Sequence, residues 1–444
     1  MPHAWWRRPY IWAACAAFLV RFVLVLWQRS YHIFPDAPFI LGWETGAIAK
    51  SLALGQGFSS PFQIPTGPTA WIAPVYPYLC AAVFKVFGIY TTQSRFVMLM
   101  ISSAFSALTC IPIYHLGRRT VGERVGLWSA WAWALLPHFS KWATTIVWET
   151  SLSALFVILL AVLAFRVVEA ETNVEPDVKP KDRRSLAGWL TWSGVAALAV
   201  LTNPALITFI PICVLWFWWR LKSSRRFWRG TIVAALMFVA LVGPWLVRNR
   251  VVMGEWVFIR GNYAFEFHLG NFHNSNGMGW RGMHPTQNDR EMQKFLRLGE
   301  MAYIADAKRQ ALDFVRQYPD EFIALCWKRF LAFWDGGSLL YSPSPQPWTG
   351  ATFYGFSLLS LFGLICVASR RLPGALLFWW IPLYGVPYYL AYPHSRYRHA
   401  VEPLMMLLSV FFVAEVVRAL IKWTRERDSS RIQSRKEAAA VAGS

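Results

Sequence analysis

Acidic side chains are scarce in this chain, 24 Asp and Glu against 44 Lys and Arg in 444 residues, so each carboxylate in a polar stretch is a candidate for proton chemistry. Asp36 and Glu44 stand just past the first apolar run, and Glu149 opens a later one within Ile146-Val-Trp-Glu149-Thr-Ser. A carboxylate so placed can take a proton from a hydroxyl or amine, while a second acid orients the acceptor or binds a metal. Glu44 and Glu149 also have a structural reading, since each sits where a helix would begin and the helix dipole favours negative charge there. Cations form the second group. Pro244-Trp-Leu-Val-Arg248-Asn249-Arg250 closes one apolar run, and Tyr392-Pro-His394-Ser-Arg396-Tyr397-Arg398-His399 joins two others. The planar N–H fork of Arg holds phosphate oxygens well in a low-dielectric site. Attraction to phospholipid headgroups, or pairing of one arginine with Glu402, is the alternative reading. Phe265-Glu266-Phe267-His268-Leu-Gly270-Asn271 is a further polar knot whose plain reading is a turn. Most of the 26 tryptophans read as interface anchors and packing, but Trp43, Trp71 and Trp148 stand near the acids and can be weighed as sugar-stacking platforms.

The elements that must position these groups are membrane helices. With 56% hydrophobic and 15% charged residues, the chain carries too little charge to cover a soluble particle of its size. Apolar runs near 10–28, 94–116, 125–140, 149–168, 187–203, 204–220, 231–248, 351–369, 372–391 and 401–421 are each expected to cross a hydrocarbon core of roughly 30 Å. The expected fold class is an all-α polytopic membrane protein with ten spans. The run 74–88 is short, holds Pro74, Pro77 and Lys85, and reads as an interfacial helix. Leaving it out of the count puts Arg118/Arg119/Arg124, Lys179/Lys181/Arg183/Arg184, Arg220/Lys222/Arg225/Arg226/Arg229, Arg370/Arg371 and Lys422/Arg425/Arg427 on the side of the N-terminus. By the positive-inside rule both termini are then cytoplasmic in a plasma (inner) membrane protein. Arg248, Arg250, Arg396 and Arg398 fall on the opposite side, against that rule, so they call for a compensating anion.

The net charge of +20 is explained by these short loop clusters, and nucleic acid is not an expected partner. Six cysteines, Cys15, Cys80, Cys110, Cys213, Cys326 and Cys366, are scattered singly, which suggests neither a disulfide framework nor a zinc site. The first run contains Arg21 and no small-residue cleavage site, so it reads as a retained span rather than a signal peptide. No nucleotide-binding loop, dinucleotide fingerprint or hydrolase elbow is present.

The expected organisation is a membrane module over 1–248, with a first outer loop over 29–93 that carries interfacial helices at 44–54 and 74–88. A small helical outer-face domain follows over 249–350, turn-rich from Gly261 to Gly282 and helical from about 288 to 318, with a further helix after Pro319. C-terminal spans over 351–421 and a basic cytoplasmic tail over 422–444 complete the chain.

Several stretches in order carry a resemblance: Ala49-Lys-Ser-Leu-Ala-Leu-Gly-Gln-Gly57-Phe-Ser-Ser-Pro61, Leu116-Gly-Arg-Arg119 before Gly122-Glu-Arg124, Trp131-Ala-Trp-Ala-Leu-Leu-Pro137, Pro244-Trp-Leu-Val-Arg248-Asn249, Gly270-Asn271 and Arg396-Tyr-Arg-His399-Ala-Val-Glu-Pro403. The chain resembles the lipid-dependent GT-C glycosyltransferases, in particular the bacterial relatives of protein O-mannosyltransferases and lipid A aminoarabinose transferases (glycosyltransferase family 39-like). The resemblance implies a GT-C-like bundle and transfer of a sugar from a polyprenyl-phosphate carrier to a protein, lipid or glycan acceptor at the periplasmic face. The Asp-Glu pair usual in that family falls on Trp43 and Glu44, which leaves Glu44 or Asp36 as the base. The implied mechanism is a single displacement with inversion, with Arg248, Arg396 and Arg398 holding the phosphate. Glu149, Asn249, Glu266, His268, Asn271, His394, Tyr397 and His399 complete the expected substrate-binding set. A divalent metal ion stays an open call, because the spacing of the acids and histidines has no ligand signature. Alternatives are a transporter or flippase of lipid-linked glycan, for which no inverted repeat is visible, and an oligosaccharide ligase or polymerase with a lipid diphosphate donor.

Overall fold

The computed structural model describes residues 8–33, 41–172, 182–222, 224–279, 281–336 and 347–442, and among them the chain is helical, with one isolated bridge between Ser59 and Pro68. Seven helices are long and apolar enough to cross a membrane: Pro9–Gln28, Thr92–Thr120, Thr150–Thr172, Pro204–Leu221, Arg225–Met253, Gly350–Ser369 and Glu402–Ser430. Shorter apolar helices cover Val75–Phe87, Leu186–Thr202 and Ala375–Leu390.

Two of the ten expected runs are interrupted for local reasons. The run 125–140 forms only Glu123–Leu135, because Pro137 follows and turns the chain into a 3-10 segment. At 1.5 Å per residue those 13 residues reach about 20 Å, and the Pro137–Phe139 and Lys141–Thr145 segments carry the chain on to Glu149. The run 372–391 breaks into Ala375–Phe378, Trp380–Tyr384 and Val386–Leu390, where Pro382, Gly385 and Pro387 interrupt the ladder.

Polar side chains inside the bundle act as ties. Arg21, fully buried, donates from Nε to Ser106 Oγ at 2.9 Å and from its Nη atoms to the carbonyls of Ala17, Ala134 and Trp133 at 3.0, 3.1 and 3.1 Å. The cost of a cation at membrane depth, about 2.5 to 3.5 kcal/mol on insertion scales, is offset here by backbone acceptors freed where the Glu123–Leu135 helix ends.

Between the Arg225–Met253 helix and residue 336, the chain forms Tyr263–Gly270, Asp289–Leu298, Glu300–Gln317 and Pro319–Asp335. Asn288 caps the second of these by accepting from the amides of Arg290 and Glu291, and Gly299, at φ +76°, separates it from the third. Their shared core of Phe265, Leu269, Phe295, Tyr303 and Ile304 also takes in Phe62 and Trp71 of the first loop. This packing, rather than any regular hydrogen-bond ladder, fixes the 58–73 loop against the helices that follow residue 260.

Candidate functional site

One cavity of about 670 Å³ gathers five separate stretches of chain: 42–45, 71–72, 148–149, 260–287 and 392–396, together with the end of the Pro319–Asp335 helix. Such a volume suits a small-molecule ligand. Three tryptophans, Trp43, Trp71 and Trp148, stand in its wall among the carboxylates Glu44, Glu149 and Glu266 and the cations Arg260 and Arg396.

Glu44 is the first residue of the Glu44–Ala53 helix, and the turn before it is unusual. Gly42 has φ +84° and Trp43 φ +48°, the latter a left-handed position that a large side chain rarely adopts. That turn presents Glu44 to the cavity instead of leaving it as an ordinary helix-start charge. Its Oε1 accepts from His284 Nε2 at 3.1 Å. Burial pushes the Glu44 carboxyl up. The hydrogen bond and charge of His284, the residue's own backbone amide and the charge of Arg396 more than reverse this, so it lies below the usual carboxylate value.

Arg396 approaches from the Ser395–Arg398 turn. His394 caps that turn, its Nδ1 accepting from the Arg396 amide at 3.2 Å. The Arg396 guanidinium lies 3.6 Å from the centroid of the Trp148 ring, and its Nη2 donates to Tyr397 Oη at 3.3 Å. A face-on cation–π contact holds the planar fork without consuming its in-plane donors. Burial pulls its proton affinity down, but the phenol of Tyr397, the Glu149 carboxylate and the phenol of Tyr392 outweigh this, and the group stays cationic. Arg260 is held from the other side, Nη2 at 3.4 Å from Glu266 Oε2, while Asn262 Nδ2 donates to Glu266 Oε1 at 3.0 Å.

The expected residues therefore divide. Glu44, Glu149, Glu266, His394 and Arg396 line the cavity; Asp36 lies outside the described residues. Of the three arginines expected at a phosphate, the cavity receives Arg396 alone. Arg248 instead donates to the carbonyls of Thr69 and Phe58 at 2.6 and 2.8 Å, and Asn249 donates to those of Val257 and Ile259 at 3.1 and 3.3 Å. Both pin the loops that carry Trp71 and Arg260. Arg398 and His399 are fully buried and share Glu402, with Arg398 Nε 3.1 Å from Oε1 and His399 Nδ1 2.6 Å from Oε2; Arg398 also donates to Trp334 O and Ser357 Oγ. They lock the start of the last long helix to its neighbours. Asn271 donates to the carbonyls of Phe267 and Leu390 and accepts from the buried Arg329, which makes it a splint between 267–271 and 390. His268 is off the cavity, and burial, aided by the Lys294 charge, lowers its proton affinity. Tyr397 stacks on Tyr388 at 4.4 Å behind Arg396. Among the described residues no group of three or more His, Cys, Asp or Glu side chains is placed to hold a metal ion.

Sequence reasoning missed His284, Arg260 and Asn262. Arg260 carried the same signal that singled out Arg248, a cation in a segment that the sequence reading assigns to the outer face. His284 stood in a glycine-rich stretch before Pro285, with no spacing that tied it to Glu44, 240 positions away.

No family model matches the sequence, and neither does any curated protein. Solved structures do match by shape. The archaeal oligosaccharyltransferase AglB from Archaeoglobus fulgidus, in complex with an inhibitory peptide and a dolichol-phosphate, superposes over 96% of this chain and 52% of its own at 13% identity, with a TM-score of 0.53. Its apo form gives 14% identity, the same coverage and a TM-score of 0.53. This chain has the GT-C fold. ArnT from Cupriavidus metallidurans bound to undecaprenyl phosphate covers 91% of this chain and 77% of its own at 14% identity and a TM-score of 0.42. The chain spans about half the length of the AglB structures it matches.

Proposed function

We propose that the protein is a membrane glycosyltransferase that moves a sugar from a polyprenyl-phosphate carrier to an acceptor at the periplasmic face, with both termini cytoplasmic. The observation that carries this reading is the meeting of Glu44 and Arg396, more than 350 residues apart in sequence, in the wall of one tryptophan-lined cavity. The structures with the same fold add support, since AglB was solved with a dolichol-phosphate. Away from the cytoplasm no nucleotide sugar is at hand, so the donor arrives activated in the bilayer and its leaving group is a phosphate.

The reaction is a single displacement with inversion. The acceptor oxygen forms a bond to the anomeric carbon while the bond from that carbon to the phosphate oxygen breaks, its electron pair leaving on the phosphate. Glu44 takes the acceptor's proton as the acceptor oxygen, bonding to the anomeric carbon, gains positive character. Arg396, whose remaining N–H groups have no protein partner among the described residues, meets the charge that grows on the phosphate. Its contact strengthens in the transition state, which is the condition for raising kcat instead of merely lowering KM. Glu149, beside Trp148, orients sugar or acceptor, and Glu266 with Arg260 closes the far wall. The base role falls to Glu44, whose lowered proton affinity keeps it ionised at neutral pH.

The test is transfer by the purified full-length protein in liposomes, with labelled polyprenyl-monophosphate and polyprenyl-diphosphate sugars as donors. The account expects transfer from the monophosphate and none from Glu44→Gln, which should still insert and melt like the parent. Transfer from the diphosphate donor alone would replace this reading by that of an oligosaccharide ligase, and unaltered turnover in Glu44→Gln would remove Glu44 from its role.

A further inference from the structure

The displacement proposed above leaves His284 without a task, yet its ring is placed with care. Its Nδ1 accepts the backbone N–H of Thr286 at 3.2 Å, capping the Pro285–Gln287 turn, with the Thr286 hydroxyl 2.8 Å away. A ring nitrogen that accepts an N–H carries no proton. The proton of the neutral imidazole therefore sits on Nε2, the atom 3.1 Å from Glu44 Oε1. Ring rotation that would exchange the two nitrogens is opposed by three aromatic neighbours, Trp43, Phe62 and Phe265, whose centroids lie 6.2, 5.8 and 5.6 Å from that of His284.

We infer that His284 is a positioning residue: an Nε2–H donor that pins one oxygen of Glu44, keeps the carboxylate charged, and leaves the other oxygen to meet the acceptor. The inference rests on the reading of Glu44 as the base. The arrangement reverses the usual order of a carboxylate–imidazole pair in catalysis, in which the acid orients and the imidazole is the base.

The other charged groups around Glu44 come from separate elements: Arg396 and His394 from the turn before the last long helix, Glu149 from the turn before Thr150, Arg260 and Glu266 from the 260–266 stretch, and Lys50 on its own helix. The effect of burial on Glu44 is opposed first by the His284 hydrogen bond, next by the His284 charge and only last by Arg396. Removing the donor while keeping the ring should thus leave burial largely unopposed.

The experiment labels Glu44 with a hydrophobic carbodiimide, which attacks the protonated carboxyl, in full-length protein in vesicles across a pH series, and quantifies the modified peptide by mass spectrometry. His284→Phe keeps an aromatic ring and loses the donor; His284→Gln keeps an amide N–H near the place of Nε2. The labelling midpoint should rise by about one pH unit in His284→Phe, the shift expected for loss of one hydrogen bond to a carboxylate, and stay near the parent in His284→Gln. An unchanged midpoint in His284→Phe, or equal shifts in both variants of equal melting temperature, overturns the inference. The acidic limb of the kcat/KM profile should move with the labelling midpoint. Should labelling shift while that limb does not, the His284–Glu44 link stands and the reading of Glu44 as the base falls.

Discussion

The turn at Gly42 offers a perturbation whose size can be worked from geometry. A Cβ added there would lie 2.6 Å from the carbonyl oxygen of Val147 and 3.6 Å from Cδ1 of Trp148. An unstrained carbon–oxygen approach is about 3.3 Å, so Gly42→Ala must open the gap by about 0.7 Å. That displacement is shared between the two walls that carry Glu44 and Trp148–Glu149. Misplacement on the order of 1 Å can cost about 10²-fold in rate, so kcat should fall by a factor approaching that while the rest of the fold persists. Backbone strain alone must be separated from this. Gly55 supplies the control, because it has φ +78°, close to the +84° of Gly42, and no atom within 4 Å of an added Cβ. Each alanine costs about 1–2 kcal/mol of left-handed strain and should lower the melting temperature similarly. The assay is sugar transfer in liposomes beside thermal melting for both variants. Equal kcat in Gly42→Ala and Gly55→Ala would refute the argument that the Gly42–Val147 contact sets the position of the site.

Three further outcomes follow from the same geometry. Arg396→Lys loses both the planar fork and the stack on Trp148, and should weaken binding of a polyprenyl phosphate about tenfold, roughly 1.4 kcal/mol, as read by a binding isotherm. Arg398→Ala leaves Glu402 buried without its cation and should cost about 3–5 kcal/mol of stability; the yield of folded protein and the melting temperature should fall while KM for donor stays put in the molecules that fold. Burial pushes Glu300 up to about 7, despite hydrogen bonds from Thr69 and the Ala70 amide and the charge of Arg248. A carboxyl raised on folding favours the protonated folded form, so its contribution is fully present below the ordinary carboxyl value and is lost as pH rises through about 7. Stability should therefore decline over that window by on the order of 3 kcal/mol, read as a falling melting temperature, and Glu300→Gln should flatten the decline.

The sequence made the helical membrane class plain, because apolar runs of span length are a one-dimensional signal. It marked Glu44 as the start of a surface helix and the break after Pro319 as the start of another. The breaks within the helices were less legible. The runs at 125–140 and 372–391 are apolar enough, but Pro137, Pro382 and Pro387 act on backbone geometry, which a hydropathy sum ignores. For the site, residue type told which groups could bind phosphate but not which were already occupied. Arg248, Arg396 and Arg398 look alike in sequence; one ties loops through carbonyls, one is stacked over Trp148 in the cavity, and one neutralises Glu402. Which role each takes depends on partners far along the chain, and so does the link of His284 to Glu44.

The central claim is that a phosphate leaving group is received by Arg396 within the cavity that holds Glu44. Its most direct test is a cryo-electron microscopy structure of the full-length protein with a bound polyprenyl phosphate. The account predicts phosphate oxygens within about 3 Å of the Arg396 guanidinium nitrogens, with the anomeric position turned toward Glu44. A phosphate seated instead on Arg248 or on surface cations away from this cavity would contradict it.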